Sequence, residues 1–343
     1  MTIEALNKIA VAMVAPGKGI LAADESSGTI KKRFDSIDVA STEDNRRDYR
    51  EMLFRTENAM RDHISGVILF DETIRQNAAD GTPLVKLIEE TGAIPGIKVD
   101  KGAQALAGAE GEKVTEGLDG LRDRLDEYYK LGARFAKWRA VIDIAGAEIP
   151  SGYCISTNVH ALARYAALCQ EAGIVPIVEP EVLMDGDHDI DRCYDVTEFT
   201  LKSLFDELYA QDVVLEGTIL KPNMVIAGKK SSKQASTEEI AEKTVACFRA
   251  SVPAALPGIV FLSGGQSDEE ATANLNAMNA GYADQMPWAL SFSYGRALQA
   301  APLKAWSGDA ANVGAGQAAF AHRAKMNGLA QKGEWSPDLE KNA

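Results

Sequence analysis

The chain has 343 residues, 46% hydrophobic and 25% charged, with a formal charge of −14 and a pI near 4.9. This length and composition suit a soluble globular protein with a large core, and so acidic a surface argues against nucleic-acid or membrane partners. Cys154, Cys169, Cys193 and Cys247 form no Cys-x-x-Cys pair, no apolar run is long enough to span a bilayer, and Glu4 and Lys8 interrupt any signal-peptide core, which points to a cytoplasmic protein.

Ile3, Leu6, Ile9, Ala10 and Met13 recur at helical spacing, so residues of about 2–15 should form a helix ended by Pro16 and Gly17. A pattern then repeats: a short β-branched run, a polar residue, a helical stretch. The runs are Gly19–Asp24, Gly66–Phe70, Ile94–Val99, Arg134–Arg139, Val175–Pro180, Gly217–Pro222, Ile259–Gly264 and Trp288–Tyr294, eight in all. Helix-patterned segments between them include Arg46–Met60, Leu118–Leu131, Val159–Ala172, Thr197–Tyr209, Thr237–Val252 and Asp268–Ala280. Eight strands alternating with helices are the order of a (β/α)₈ TIM barrel. A doubly wound sheet would want a Gly-x-Gly-x-x-Gly turn after an early strand, and none is present. No linker divides the chain, so a single domain over 1–343 is expected. Residues 308–343 read as a helix near Asn312–Gln331 followed by a polar tail.

In a barrel, the C-terminal strand ends and the loops after them carry the active site. The first run ends in Asp24, Glu25 and Ser26, the second in Asp71 and Glu72, the third in Lys98, the fourth in Lys137 and Arg139. The fifth ends in Glu179 and Glu181, the sixth in Lys221, the seventh in Ser263-Gly264-Gly265, and the eighth in Ser293-Tyr294-Gly295-Arg296. Strand alternation puts Phe135, Lys137 and Arg139 on one face, as it does Ile177, Glu179 and Glu181, or Gly217, Ile219 and Lys221. A single such charge is as easily a structural ion pair at the rim. Several at one end of the barrel point to chemistry, because burying that many without a return is costly.

Lysines and carboxylates together suit amine catalysis. A neutral lysine condenses with a ketone, and the resulting iminium withdraws electrons from the adjacent carbon–carbon bond. A second ammonium about 5 Å away disfavours the charged form by roughly 3 kcal/mol at an effective dielectric near 20, so clustered lysines activate one of their number. Carboxylates move the protons. The Ser-Gly-Gly turn and the Ser-Tyr-Gly-Arg turn stand where barrels often bind phosphate. Ser26, Thr29, Arg33, Lys98 and Arg139 form a second cationic set, read as holding another anion on the far side. A metal route is disfavoured: His63, His160, His188 and His322 lie at no ligand spacing, and Asp185–Asp189 lacks the bidentate Glu of a calcium loop.

These residues sit in stretches that resemble the class I, Schiff-base fructose-bisphosphate aldolases. The similar stretches are 15–26, 66–70, 96–102, 135–139, 174–181, 215–224, 261–266 and 291–300. The resemblance implies reversible cleavage of fructose 1,6-bisphosphate to dihydroxyacetone phosphate and glyceraldehyde 3-phosphate, in glycolysis and gluconeogenesis. It implies no metal and no cofactor. It casts Lys221 as the Schiff-base lysine and Glu179 as the acid/base of carbinolamine dehydration. Lys137 assists, Asp24 meets the hydroxyl deprotonated in cleavage, and Glu181 lies near the lysine. Ser263, Gly264 and Arg296, with Ser293 and Gly295 beside them, go to the 1-phosphate. Ser26, Lys98 and Arg139 go to the 6-phosphate side, and Arg33 closes over substrate. A homotetramer is implied as well. Two departures stand out. Thr29 replaces a serine of animal members, and no terminal tyrosine is present, the last aromatic being Trp335.

Overall fold

The computed structural model describes residues 2–341. Its strands are β1 (Gly19–Ala23), β2 (Ile64–Leu69), β3 (Ile94–Lys98), β4 (Ala103–Ala105), β5 (Lys113–Thr115), β6 (Phe135–Ile142), β7 (Val175–Val182), β8 (Ile219–Leu220), β9 (Gly258–Phe261) and β10 (Ala289–Tyr294). All but β4 and β5 close a parallel barrel in the order β1-β10-β9-β8-β7-β6-β3-β2. The eight runs read from the sequence are the eight barrel strands. The ladder between β7 and β8 continues past β8, as Lys221 N–H donates to the Val178 carbonyl at 2.9 Å. β4 and β5 form a separate antiparallel pair in the connection between β3 and β6.

Two apolar clusters explain the packing. The larger fills the shell between strands and outer helices. The smaller fills the lumen, with Ile20, Ala22, Ile68, Phe135, Val175, Ile177, Ile219 and Val260 meeting Leu6, Ala10, Met13 and Val14 of the N-terminal segment. The helix Ile3–Met13 starts at Thr2, whose hydroxyl accepts from the Ala5 N–H. Leu6 lies against Gly217, in the turn just before β8, and Val14 against Gly258, the first residue of β9, so this segment plugs the N-terminal end of the barrel. Phe135 needs room that only glycine leaves: a Cβ on Gly96 would lie 2.3 Å from its ring.

The lumen cluster also explains where the charges stand. Asp24, Lys137, Glu179 and Lys221 each follow a lumen residue by two positions: Ala22, Phe135, Ile177 and Ile219. Period-2 alternation therefore aims all four inward, one layer above the apolar plug.

Some segments differ from the sequence pattern. The single helix expected over Arg46–Met60 is two, Glu43–Phe54 and Glu57–His63, broken where the Thr56 hydroxyl turns back to the Met52 carbonyl. Short helices Ser27–Asp35, Leu84–Glu90 and Arg296–Trp306 were not foreseen. The tail is not simply polar chain. Residues Pro337–Glu340 form a helical turn, and Glu340 accepts from Arg323 Nη1 at 2.6 Å and Trp335 Nε1 at 2.9 Å. Burial would raise the Glu340 carboxyl, but the bonds from Arg323 and His322 outweigh it and hold it low. The last two residues of the expected tail, Asn342 and Ala343, lie outside the described residues.

Candidate active site

A cavity of about 930 Å³ opens at the C-terminal ends of the barrel strands. The residues that the sequence suggests for catalysis and substrate binding all line it: Asp24, Ser26, Thr29, Arg33, Lys98, Lys137, Arg139, Glu179, Glu181, Lys221, Ser263, Gly264, Ser293, Gly295 and Arg296.

At its floor, one carboxylate joins two lysines. Lys137 Nζ is 3.0 Å from Glu179 Oε2, and Lys221 Nζ is 3.3 Å from Glu179 Oε1. Lys137 Nζ also donates to Asp24 Oδ2 at 3.0 Å. Lys137, Glu179 and Lys221 are all buried. Burial alone would raise the Asp24 carboxyl, but the charges of Lys137 and Lys221 outweigh it and hold it well below the usual carboxylate range. Burial alone would lower the Lys137 ammonium, but Asp24 and Glu179 hold it well above the ordinary lysine value. Lys137 is thus the fixed cation of the group, facing two carboxylates where Lys221 faces one. Burial also pushes the Glu181 carboxyl up, against the pull of the Arg139 guanidinium bonded to it.

The turn after β9 and the turn after β10 converge on one side of the mouth. A Cβ on Gly264 would lie 2.8 Å from Met184 Cε and 3.2 Å from Glu181 Oε1, so a larger residue here would have to displace the end of the Met184 side chain. Gly265 has φ of +81°, which glycine adopts without strain. Ser263 and Ser293 are buried, and the Ser293 hydroxyl has no partner among the described residues. Gly295 caps the helix Arg296–Trp306, whose first N–H groups lack intrahelical acceptors and make a ready anion site. Arg296 Nη2 donates to the Gln266 carbonyl at 3.2 Å.

One grouping made from the sequence needs correction. Arg33 was placed with Lys98 and Arg139 on the far side. In the fold its Nη2 lies 3.5 Å from the position of a Cβ on Gly295, against the last-strand turn. The reason is closure: β1 pairs with β10, so residues just after β1 neighbour the turn after β10.

The remaining cations are internally paired. Lys98 Nζ donates to the Asp100 carbonyl at 2.8 Å and carboxylate at 2.7 Å. The Ser26 and Thr29 hydroxyls are 3.1 Å apart. Sequence reasoning gave no role to Glu25 or Asp100. Glu25 accepts from Arg33 Nη1 at 2.5 Å and Gln299 Nε2 at 2.7 Å, while Asp100 holds Lys98 and the Arg139 N–H. The spacing Lys98-Val99-Asp100 was a signal for the second pair; Glu25 had only its place beside Asp24. Of the charges closing β2, Asp71 lines the cavity and Glu72 turns away to Arg46.

Among the described residues, no three His, Cys, Asp or Glu side chains are grouped to hold a metal ion, and no helix is long and apolar enough to cross a membrane.

The chain matches the family described as fructose-bisphosphate aldolase class-I over residues 5–343. It is 64% identical over 336 residues to a probable fructose-bisphosphate aldolase class 1 of Xanthomonas campestris pv. campestris, covering 98% of this chain and 99% of that one. It is 55% identical to the cytosolic fructose-bisphosphate aldolase 4 of Arabidopsis thaliana, covering 95% of this chain and 82% of that one. Among solved structures it resembles fructose-bisphosphate aldolase from Plasmodium falciparum, in a complex with TRAP and a small-molecule inhibitor. The TM-score is 0.94 at 49% identity, over 97% of this chain and 96% of that one.

Proposed function

The chain belongs to the class I fructose-bisphosphate aldolase family, and from that premise we propose that Lys221 is the lysine through which it cleaves its substrate. The reaction is the reversible cleavage of fructose 1,6-bisphosphate to dihydroxyacetone phosphate and glyceraldehyde 3-phosphate, a step of glycolysis.

In this reading the neutral Lys221 amine adds to the ketone carbon and forms a carbinolamine. Glu179, in contact with both lysines, protonates the departing hydroxyl, which leaves as water and gives the iminium. Asp24 takes the proton of the sugar hydroxyl next to the scissile bond. That bond breaks, its electron pair passes to the iminium as an enamine, and glyceraldehyde 3-phosphate departs. Protonation of the enamine, with Glu179 as donor, and addition of water release dihydroxyacetone phosphate and restore the amine. Lys137, fixed as a cation, keeps Asp24 ionised and ready to take its proton, and steadies the charge left on Glu179 when it gives one up.

The turns after β9 and β10, with Arg296, hold the 1-phosphate, and Arg33 joins them. Lys98, Arg139, Ser26 and Thr29 serve the 6-phosphate end, Lys98 and Arg139 giving up internal carboxylates to do so. Glu181 bonds Arg139 near the catalytic group. We read the whole chain as one domain, working as a homotetramer in the cytoplasm. The family's common tetrameric habit and the cytosolic naming of Arabidopsis relatives support that reading.

The observation that carries the assignment is that Lys221 faces one carboxylate, Glu179, where Lys137 faces two. Replacing Lys221 with alanine should abolish cleavage while leaving the fold intact. A Lys221→Ala enzyme that still cleaves the bisphosphate would refute it.

A further inference from the structure

Arg323 lies buried in the helix Val313–Gln331, and its guanidinium joins two segments distant in sequence. Its Nη2 donates to the Asp268 carbonyl at 3.2 Å and to Thr272 Oγ1 at 2.6 Å, in the first turn of the helix Asp268–Tyr282. Its Nη1 donates to Glu340 Oε2 at 2.6 Å. Glu340 is itself located by Trp335 Nε1 at 2.9 Å, and His322 Nε2 stands 2.8 Å from it.

The helix that Arg323 grips begins where the turn after β9 ends. Ser263, Gly264, Gly265 and Gln266 lead straight into it. Gln266 Oε1 accepts from Asn274 Nδ2 at 2.7 Å, which fastens the turn to that helix a second time. Arg296 Nη2 donates to the Gln266 carbonyl at 3.2 Å. A continuous set of contacts therefore runs from Glu340, through Arg323, to the backbone that carries Ser263 and Gly264 and locates Arg296.

We propose that Glu340 is a positioning residue for the 1-phosphate site, acting through Arg323 on the first turn of the helix Asp268–Tyr282. The proposal rests on the reading of Ser263, Gly264 and Arg296 as that site. Glu340 fixes where the Arg323 guanidinium points. Without it, a buried cation loses its bonded carboxylate, and such a group moves to regain one. The Asp268 carboxyl stands beside the carbonyl that Arg323 already holds; burial pushes it up, against the pull of Arg323 and of Arg296. Arg323 turning toward it releases the Asp268 carbonyl and Thr272, and shifts both the turn and the electrostatics of Arg296. Glu340 touches no reacting atom, so its loss acts on how well the phosphate is held and leaves the chemical steps alone.

The test uses the full chain and its Glu340→Ala, Glu340→Gln and Arg296→Ala variants. Three quantities are compared: KM and kcat for the bisphosphate, the inhibition constant of dihydroxyacetone phosphate, and that of fructose 6-phosphate, which lacks a 1-phosphate. Glu340→Ala should raise KM and the dihydroxyacetone phosphate constant about tenfold, with kcat and the fructose 6-phosphate constant within about twofold. Glu340→Gln, which keeps the shape and an accepting oxygen, should fall between. Amide hydrogen exchange over residues 264–270 should quicken in Glu340→Ala. A dihydroxyacetone phosphate constant unchanged in Glu340→Ala, or equal losses for both inhibitors, overturns the proposal. Arg296→Ala separates the two levels. If it leaves dihydroxyacetone phosphate binding intact, the phosphate-site reading itself has failed. If it weakens that binding while Glu340→Ala does not, only the proposal for Glu340 has failed.

Discussion

Lys221 and Glu179 stand 3.3 Å apart, Nζ to Oε1, two positions above the lumen residues Ile219 and Ile177. The alternation that buries the two isoleucines in the barrel delivers the amine and the carboxylate to the same place. An amine and a proton carrier so held need no rearrangement before the first addition step.

Glu179→Gln removes the proton carrier and keeps the shape. General acid–base groups contribute about 100- to 10,000-fold, so kcat should fall by that much with KM changed less. Rapid-quench measurement should show carbinolamine accumulating. A variant within tenfold of wild type in kcat would move the proton transfers to another group.

Asp24 offers a test through stability. Its carboxyl is held low in the fold, below the value near 3.9 of an unfolded chain. A group lowered in this way stabilises the fold above its unfolded value, and the benefit is lost as pH falls through the folded value. Asp24→Asn should therefore cost about 3 kcal/mol at neutral pH, the low end for breaking a buried pair, since Glu179 still faces Lys137. The gap to wild type should narrow below about pH 4. Urea midpoints across pH measure it, and a gap of constant size down to pH 3 contradicts the pairing.

The barrel was legible in the sequence because its strands are short, mostly apolar runs alternating with helix-patterned segments, and its charges fall at one end. The same alternation that marks Phe135, Lys137 and Arg139 as one face placed Lys137 in the cavity. What escaped depended on closure or on distant contacts. Nothing local shows that Arg33 will meet Gly295, because that follows from β1 pairing with β10. The strands β4 and β5 have three residues each, too few for a period to show. The tail looked like polar chain because the partner that orders Glu340, Arg323, stands 17 residues back on another helix.

Arg296→Ala removes the guanidinium at the N-terminus of the helix Arg296–Trp306. A charge-assisted hydrogen bond is worth about 1.5–3 kcal/mol, so kcat/KM for the bisphosphate should fall about 10- to 150-fold. Steady-state assays check it, with binding of a ligand lacking the 1-phosphate as control. Equal losses for both would show that Arg296 supports the barrel and does not read the phosphate.

Cleavage should persist undiminished in excess EDTA. The four histidines stand away from the cavity lining: His160 meets Glu207, His322 meets Glu340, and His63 packs against Gly328 while His188 packs against Gly228. Loss of activity in the chelator, restored by zinc, would assign the enzyme to the metal-dependent route.

The covalent assignment is tested most directly by trapping. Incubation with dihydroxyacetone phosphate, reduction with borohydride and mass-spectrometric mapping locate the amine that bonds to substrate. A single modified residue, Lys221, is expected, with no adduct on Lys137, which two carboxylates keep as an ammonium. An adduct on Lys137 or Lys98, with Lys221 unmodified, would contradict it.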